Sequence, residues 1–124
     1  MSKIVRAINV MVSNPDLINN VLKGQHHTEY FFKYENKHNW SIFRNHEGVY
    51  YLQYYPGEVD LSDLAGIPDQ QWEEAAPESV AYNTKDLATK EAVESFRDLY
   101  AIVKEKVYGM DEVLDDIIGG NIPF

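Results

Sequence analysis

The histidines are the first residues in this chain that suggest chemistry, and the chemistry is metal binding. His26 and His27 are adjacent, and Glu29 follows closely. Imidazole and carboxylate groups bind zinc, but a zinc site needs three or four ligands that converge on one ion. These residues form at most a partial metal site, and a polar loop explains the same pattern. His38 and His46 fall in turns at opposite ends of a predicted strand, so they cannot share one ion.

Carboxylates are the second candidate, because paired acids can perform general acid–base catalysis. The acids of the last long helix, Glu91, Glu94, Asp98 and Glu105, avoid its apolar stripe, which is typical of a solvated face. The chain has no phosphate-binding glycine loop and no Gly-x-Ser-x-Gly nucleophile motif. We therefore expect no catalytic residue, no resident metal and no cofactor.

Composition excludes further classes of function. The chain has 124 residues and no cysteine, which excludes disulfides, thiolate metal sites and cysteine nucleophiles. The longest apolar run near the start, Val10 to Val12, is too short for a signal peptide or a membrane span. We expect one domain over residues 1–124, located in the cytoplasm, without a membrane partner.

The net charge of −9 is unevenly distributed. The formal charges of residues 1–56 sum to +2, whereas those of residues 57–124 sum to −11. Residues 57–78 form a long acidic loop with seven acids and no base. This charge distribution argues against nucleic acid as a partner, since phosphate binding needs a cationic surface. It favours a basic protein as the partner.

The strand region 29–55 carries ten of the sixteen aromatic residues and predicts three antiparallel strands. Turns are expected at 36–39 and 45–48, which place Glu35 opposite Trp40 and Arg44 opposite Val49. Alternation then assigns two faces, although a loop one residue longer would change this sorting. The predicted core face contains Tyr30, Phe32, Tyr34, Ser41, Phe43, Tyr50, Leu52 and Tyr54. The predicted open face contains Phe31, Lys33, Glu35, Trp40, Ile42, Arg44, Val49, Tyr51, Gln53 and Tyr55.

The remaining elements are mainly helices. Apolar spacing predicts helices over 3–12, from 15 to about 23 with Gly24 as a left-handed stop, and from 85 or 90 to 108. A single helical turn is expected at 61–65, a short fourth strand at 80–82 and a short helix at 112–118 that Asp111 caps. Residues 121–124 are expected to fray. The fold class is α+β, a three- to four-stranded meander packed on one face by the N-terminal helices and the long C-terminal helix.

Two surfaces are candidates for protein binding. The first is the predicted open face, where Phe31, Trp40, Tyr51 and Arg44 are residue types that anchor interfaces. The same rings beside Lys33 are also the residue types of an RNA-binding sheet, but the glycine–aromatic signature is missing. The second is the acidic loop, where Leu61, Leu64, Ile67 and Trp72 alternate with acids that include Asp60, Asp63, Glu73 and Glu74. These apolar residues either bind a partner or close the edge of the core.

The sequence therefore predicts a non-enzymatic interaction module that binds a basic protein. An acidic inhibitor, such as an immunity-type partner of a toxin, suits the charge. One alternative is a small enzyme or metal-binding protein that uses His26, His27 and neighbouring carboxylates. Another is a homodimer formed through the predicted open face.

Overall fold

A five-stranded antiparallel meander forms the centre of the fold. The computed structural model describes residues 2–25, 28–68, 71–75 and 78–120. The strands lie side by side in chain order as β1 (Ile18–Lys23), β2 (Glu29–Tyr34), β3 (His38–Arg44), β4 (Tyr50–Tyr55) and β5 (Val80–Asn83). The helices are α1 (Lys3–Ser13), α2 (Leu61–Ala65), α3 (Trp72–Ala75), α4 (Thr84–Leu87), α5 (Lys90–Val107) and α6 (Met110–Gly120). The predicted α+β class is confirmed, as are the three central strands and the short strand β5.

The helix α1 forms as its apolar spacing predicts. Val5, Ile8 and Met11 are its buried residues and lie on one stripe. The Val5 N–H donates to the Ser2 hydroxyl at 3.3 Å, which satisfies one of the free amides at the helix start.

The predicted helix from 15 to about 23 is wrong. Residues Pro15–Leu17 form one turn of 3₁₀ helix, and the chain then becomes the edge strand β1. Asn20 adopts a left-handed φ of 53°, at a bulge in the pairing with β2. Two consecutive asparagines and β-branched neighbours are weak helix formers, and pairing with β2 satisfies the backbone instead. Gly24 is not left-handed; a Cβ there would lie 2.9 Å from the Phe31 ring.

The turn between β2 and β3 is tighter than predicted. Tyr34 lies opposite His38, so the expected pairing of Glu35 with Trp40 is wrong. Glu35 and Asn36 both adopt left-handed φ values, 56° and 59°. Two successive left-handed residues reverse the chain in a shorter loop than the composition suggests.

The turn between β3 and β4 is one residue longer than predicted. Arg44 lies opposite Tyr50 and not opposite Val49. The Asn45 side-chain oxygen accepts from the N–H groups of Glu47 and Val49, at 3.0 and 2.9 Å. This side-chain turn fixes the wider loop.

Each of the two registers differs from the predicted one by an odd number of residues. Strand β3 therefore presents its side chains on the opposite sides from those predicted. Trp40, Ile42 and Arg44 lie on the side of Phe32 and Leu52, which we call the helix face. Ser41 and Phe43 lie on the opposite side, the outer face. The predicted sides of β2 and β4 hold, and only the middle strand is inverted.

The helix face carries the main core. Phe32, Ile42 and Leu52 are buried together with Ile8 of α1 and Phe96 of α5. Burying such apolar side chains is the largest favourable contribution to folding. Packing of α1 and α5 on this face agrees with the prediction.

The outer face is partly covered by α2, whereas the sequence predicts helices on the other face alone and partial exposure of this one. Phe31 and Tyr55 are buried against Leu61 and Leu64 of α2. The predicted helical turn at 61–65 is confirmed, and the Asp60 side chain caps it by accepting from the Ser62 N–H at 2.9 Å. The sheet is therefore packed on two sides.

The C-terminal helices match the prediction except at the residues where they begin and end. The Thr89 hydroxyl accepts from the Ala92 N–H at 3.1 Å and starts α5, and α4 precedes it as a separate turn. Gly109, with φ 62°, ends α5 as predicted. Its carbonyl accepts from the Val113 N–H at 3.2 Å, so α6 begins before Asp111 and extends through two glycines. The tail 121–124 lies outside the described residues. Among the residues that the structure describes, no helix is long and apolar enough to span a bilayer.

Candidate functional site

The four aromatic and basic anchors predicted for one sheet face are divided between both faces. Trp40 and Arg44 lie on the helix face, whereas Phe31 and Tyr51 lie on the outer face. Phe31 is only 1% exposed. Tyr51 is half-buried and stacks on Phe43, with ring centroids 4.8 Å apart. The four side chains therefore do not form one contact surface.

The apolar side chains of the acidic loop point toward the sheet. Leu61 and Leu64 are buried, and Trp72 is half-buried against the Phe31 and Tyr55 rings, at 6.1 and 6.4 Å between centroids. In this position they close the second core.

The described acids of the same loop remain in solvent. Asp60, Asp63 and Glu74 are exposed, and the Glu73 side chain lies outside the described part of the structure. Hydrogen bonds from the Ser62 side chain and N–H lower the pKa of Asp60. The loop presents charge outward while its apolar residues face the sheet.

Only one of the three candidate metal ligands, Glu29, lies within the described residues. His26 and His27 lie outside the described residues, and Glu29 is 9% exposed at the start of β2. His38 begins β3 and His46 follows its far end, as predicted. In the described residues, no group of three or more metal-ligating side chains is found.

Helix α6 presents an apolar stripe to solvent that the sequence analysis did not assign to a function. Val113, Leu114 and Ile118 are 43%, 49% and 61% exposed, and together we call them the α6 stripe. The helix also carries four exposed acids and no base: Asp111, Glu112, Asp115 and Asp116. The spacing of the apolar residues reveals an amphipathic helix, but it does not reveal that the apolar side stays in water.

An aromatic cleft is the second feature that the sequence did not predict. Its volume is about 480 Å³, and it lies between α1 and the sheet, with Trp40, Tyr54 and Tyr82 in its wall. The Trp40 and Tyr54 rings meet edge to face, with centroids 4.9 Å apart. Trp40 lines this cleft only because β3 is turned over relative to the prediction.

A larger cavity of about 840 Å³ lies beside α2. Its walls contain Lys33 and Lys37 together with Glu58 and Asp60. Because both signs of charge line it, the cavity favours neither an anion nor a cation.

Similarity to other proteins does not distinguish between these surfaces. No protein-family model, no curated protein and no solved structure matches this chain. The assignment of a function therefore depends on the chemistry of the α6 stripe, the acidic loop and the aromatic cleft.

Proposed function

We propose that this protein is a non-enzymatic interaction module that binds a basic protein through α6. The observation that carries the proposal is the α6 stripe, whose large apolar side chains are 43–61% exposed on a helix with four acids and no base. Exposed apolar patches with a polar rim mark interaction sites.

The energetics of an exposed helix support a partner on this surface. An isolated helix of fewer than about 12–15 residues is marginal in water, and tertiary packing usually stabilises it. Helix α6 has 11 residues, and the apolar side chains of the α6 stripe are about half exposed. Because these side chains are already about half buried, a partner that covers the stripe would contribute roughly half of the about 1.5–3 kcal/mol that complete burial of each one gives.

The charge of α6 defines the chemistry of the partner. Asp111, Glu112, Asp115 and Asp116 flank the stripe, and residues 57–124 as a whole sum to −11. A second copy of the chain would bring another four acids to the same contact, which is unfavourable. A cationic partner would be steered to the helix and then held by the apolar side chains.

The charge of this surface narrows the proposed function further. An inhibitor that neutralises a basic protein, such as an immunity-type partner of a toxin, is the version of this proposal that we favour. It needs no catalytic group, and its affinity depends on complementary charge and a few buried anchors.

The proposal is tested by titrating the ¹⁵N-labelled protein with a synthetic amphipathic peptide of leucine and lysine. We expect chemical-shift changes concentrated in residues 110–118. Replacing Leu114 and Ile118 by serine should weaken binding at least about tenfold, because each anchor contributes about 1 kcal/mol. Replacing Val10 and Val93, exposed on other helices, by serine is the matched control.

Two outcomes would contradict the proposal. One is a set of shift changes that spreads over the acidic surface without a maximum at α6. The other is equal loss of affinity in the α6 variant and its control.

A further inference from the structure

The larger cavity beside α2, which we call the α2 cavity, brings charges of opposite sign together. Its volume of about 840 Å³ is within the range of about 300–1,000 Å³ that is usual for ligand pockets. Strand β2 and the turn after it contribute Lys33 and Lys37, which we call the lysine pair. The loop before α2 contributes Glu58 and Asp60, which we call the acid pair. The two pairs therefore lie on different walls, one on the sheet and one on the loop.

The lysine pair and the acid pair are not joined by salt bridges. The salt bridges within the described part of the chain involve other residues. Hydrogen bonds from Ser62 lower the pKa of Asp60 most, and the Lys33 charge lowers it further, so this lysine is near the acid without contacting it. A pure anion in the cavity would meet the acid pair, and a pure cation would meet the lysine pair. A ligand that bears both charges avoids both repulsions.

The wall that carries the acid pair is fixed to the sheet. The Asn39 side-chain Nδ2 donates to the Val59 carbonyl at 3.3 Å, and Val59 lies between the two acids. Asn39 is buried on β3, directly opposite Lys33 of β2. This hydrogen bond thus holds the acid pair beside the strand that carries Lys33. Ligand sites are usually largely formed before the ligand binds.

The remaining lining matches the groups of a peptide. The side chains of Asn20 and Asn36 join that of Asn39 in the wall. An asparagine amide has donors and an acceptor, and so complements the N–H and C=O of a peptide group. Leu22 and Leu61 add apolar surface. A short peptide with free ends combines peptide groups, small apolar side chains and one charge of each sign.

We propose that the α2 cavity binds a short peptide with both ends free, its ammonium group at the acid pair and its carboxylate at the lysine pair. Hydrogen bonds between charged partners are the strong ones, so the two ends supply most of the specificity. The cavity shares no residue with the α6 stripe. The inference therefore stands or fails independently of the proposed protein partner.

Trialanine tests the inference, because each of its ends can be blocked separately. The probes are trialanine, N-acetyl-trialanine, trialanine amide and free alanine. Calorimetry measures the affinity of each probe, and ¹⁵N chemical shifts locate the contact. We expect trialanine to change the shifts of residues 33–39 and 57–62.

Each blocking group removes one charge from the peptide. N-acetylation removes the ammonium charge, and amidation removes the carboxylate charge, so each should weaken binding at least about tenfold. Free alanine carries both charges but no peptide group. It should bind at least about tenfold more weakly than trialanine, because the asparagine side chains lose their peptide partners.

Protein variants identify which residues recognise each end. Replacing the lysine pair by glutamine should give trialanine and its amide equal affinity. The control, Lys3→Gln with Lys23→Gln, removes the same charge at exposed positions outside the cavity and should keep the preference for the free carboxylate. Glu58→Gln should reduce the preference for the free ammonium group at least about threefold, whereas Asp60 is retained because it caps α2. The spectrum of each variant verifies that it is folded.

Three results would overturn the inference. The first is no change in the shifts of the α2 cavity at millimolar trialanine. The second is equal binding of trialanine and any one of the other three probes, since the group that distinguishes them would then have no role. The third is loss of the carboxylate preference in the control as well as in the lysine-pair variant, which would indicate an effect of net charge alone.

Discussion

Tyr55 shows how a single residue holds the outer face together. Its hydroxyl donates to the Gln53 side-chain oxygen at 2.8 Å and lies 2.9 Å from the Ser41 hydroxyl. The ring is buried against the acidic loop. A buried hydroxyl must be hydrogen-bonded to avoid a desolvation cost, so ring and hydroxyl both contribute to stability.

Replacing Tyr55 by phenylalanine should lower the free energy of unfolding by about 1–2 kcal/mol, because the Ser41 and Gln53 groups lose a buried partner. Urea denaturation measures the change. The double variant with Ser41→Ala should cost less than the sum of the two single variants. Additive losses would contradict the hydrogen-bond network.

Buried tyrosines also predict the response to alkaline pH. Burial raises the pKa of Tyr30 and Tyr55 above the ordinary value of 10.0. A group whose pKa is higher in the folded state than in the unfolded state stabilises the fold below the unfolded pKa, and this stabilisation is lost as the pH rises.

We therefore expect the free energy of unfolding to fall once the pH exceeds about 10. Urea denaturation across this range, with tyrosinate absorbance recorded in parallel, measures it. Tyr55→Phe should show a shallower decline than the wild type. An unchanged decline in that variant would remove Tyr55 from the explanation.

At the scale of elements, the sequence predicts those that its local pattern defines. Helices α1 and α5 have long apolar stripes, and strands β2 to β4 are rich in aromatics between clear turns. Strand β1 could not be predicted, since its pairing with β2 outweighs a weak helical pattern. The side of β3 could not be predicted either, because loop lengths set register and two adjacent left-handed residues shorten the first loop.

The candidate sites could be predicted from the sequence only in part, for the same physical reasons. The spacing in α6 could be recognised as amphipathic, but exposure depends on whether another element covers the stripe. The cleft at Trp40 depends on the inverted β3. The sequence allows the apolar residues of the acidic loop either to bind a partner or to close the edge of the core. Leu61 and Leu64 are buried against Phe31, which fits the second interpretation.

The packing of α2 on the outer face is testable at Leu64. Replacing this buried residue by alanine should lower the free energy of unfolding by about 2–4 kcal/mol, through lost burial and a cavity. Leu17→Ala, at a position that is 36% exposed, is the control and should lower the free energy of unfolding by clearly less than Leu64→Ala does. Equal effects in urea denaturation would contradict the second core.

At the scale of the whole molecule, charge and apolar surface coincide in the C-terminal half. Residues 57–124 sum to −11, and this half contains both the exposed acids of the loop and the α6 stripe. Residues 1–56 sum to +2 and contain most of the sheet. The molecule thus combines a nearly neutral scaffold with a strongly acidic surface, which suits association with a cationic protein.

The most direct test of this account compares two variants of identical net charge. One replaces Glu112, Asp115 and Asp116 on α6 by amides, and the other replaces Glu91, Asp98 and Glu105 on α5. Calorimetry with the leucine–lysine peptide, from about 50 to about 500 mM salt, measures the affinity of each. We predict a clearly larger loss of affinity and a weaker salt dependence for the α6 variant. Equal losses in the two variants would show that net charge alone attracts the peptide and would contradict a binding site on α6.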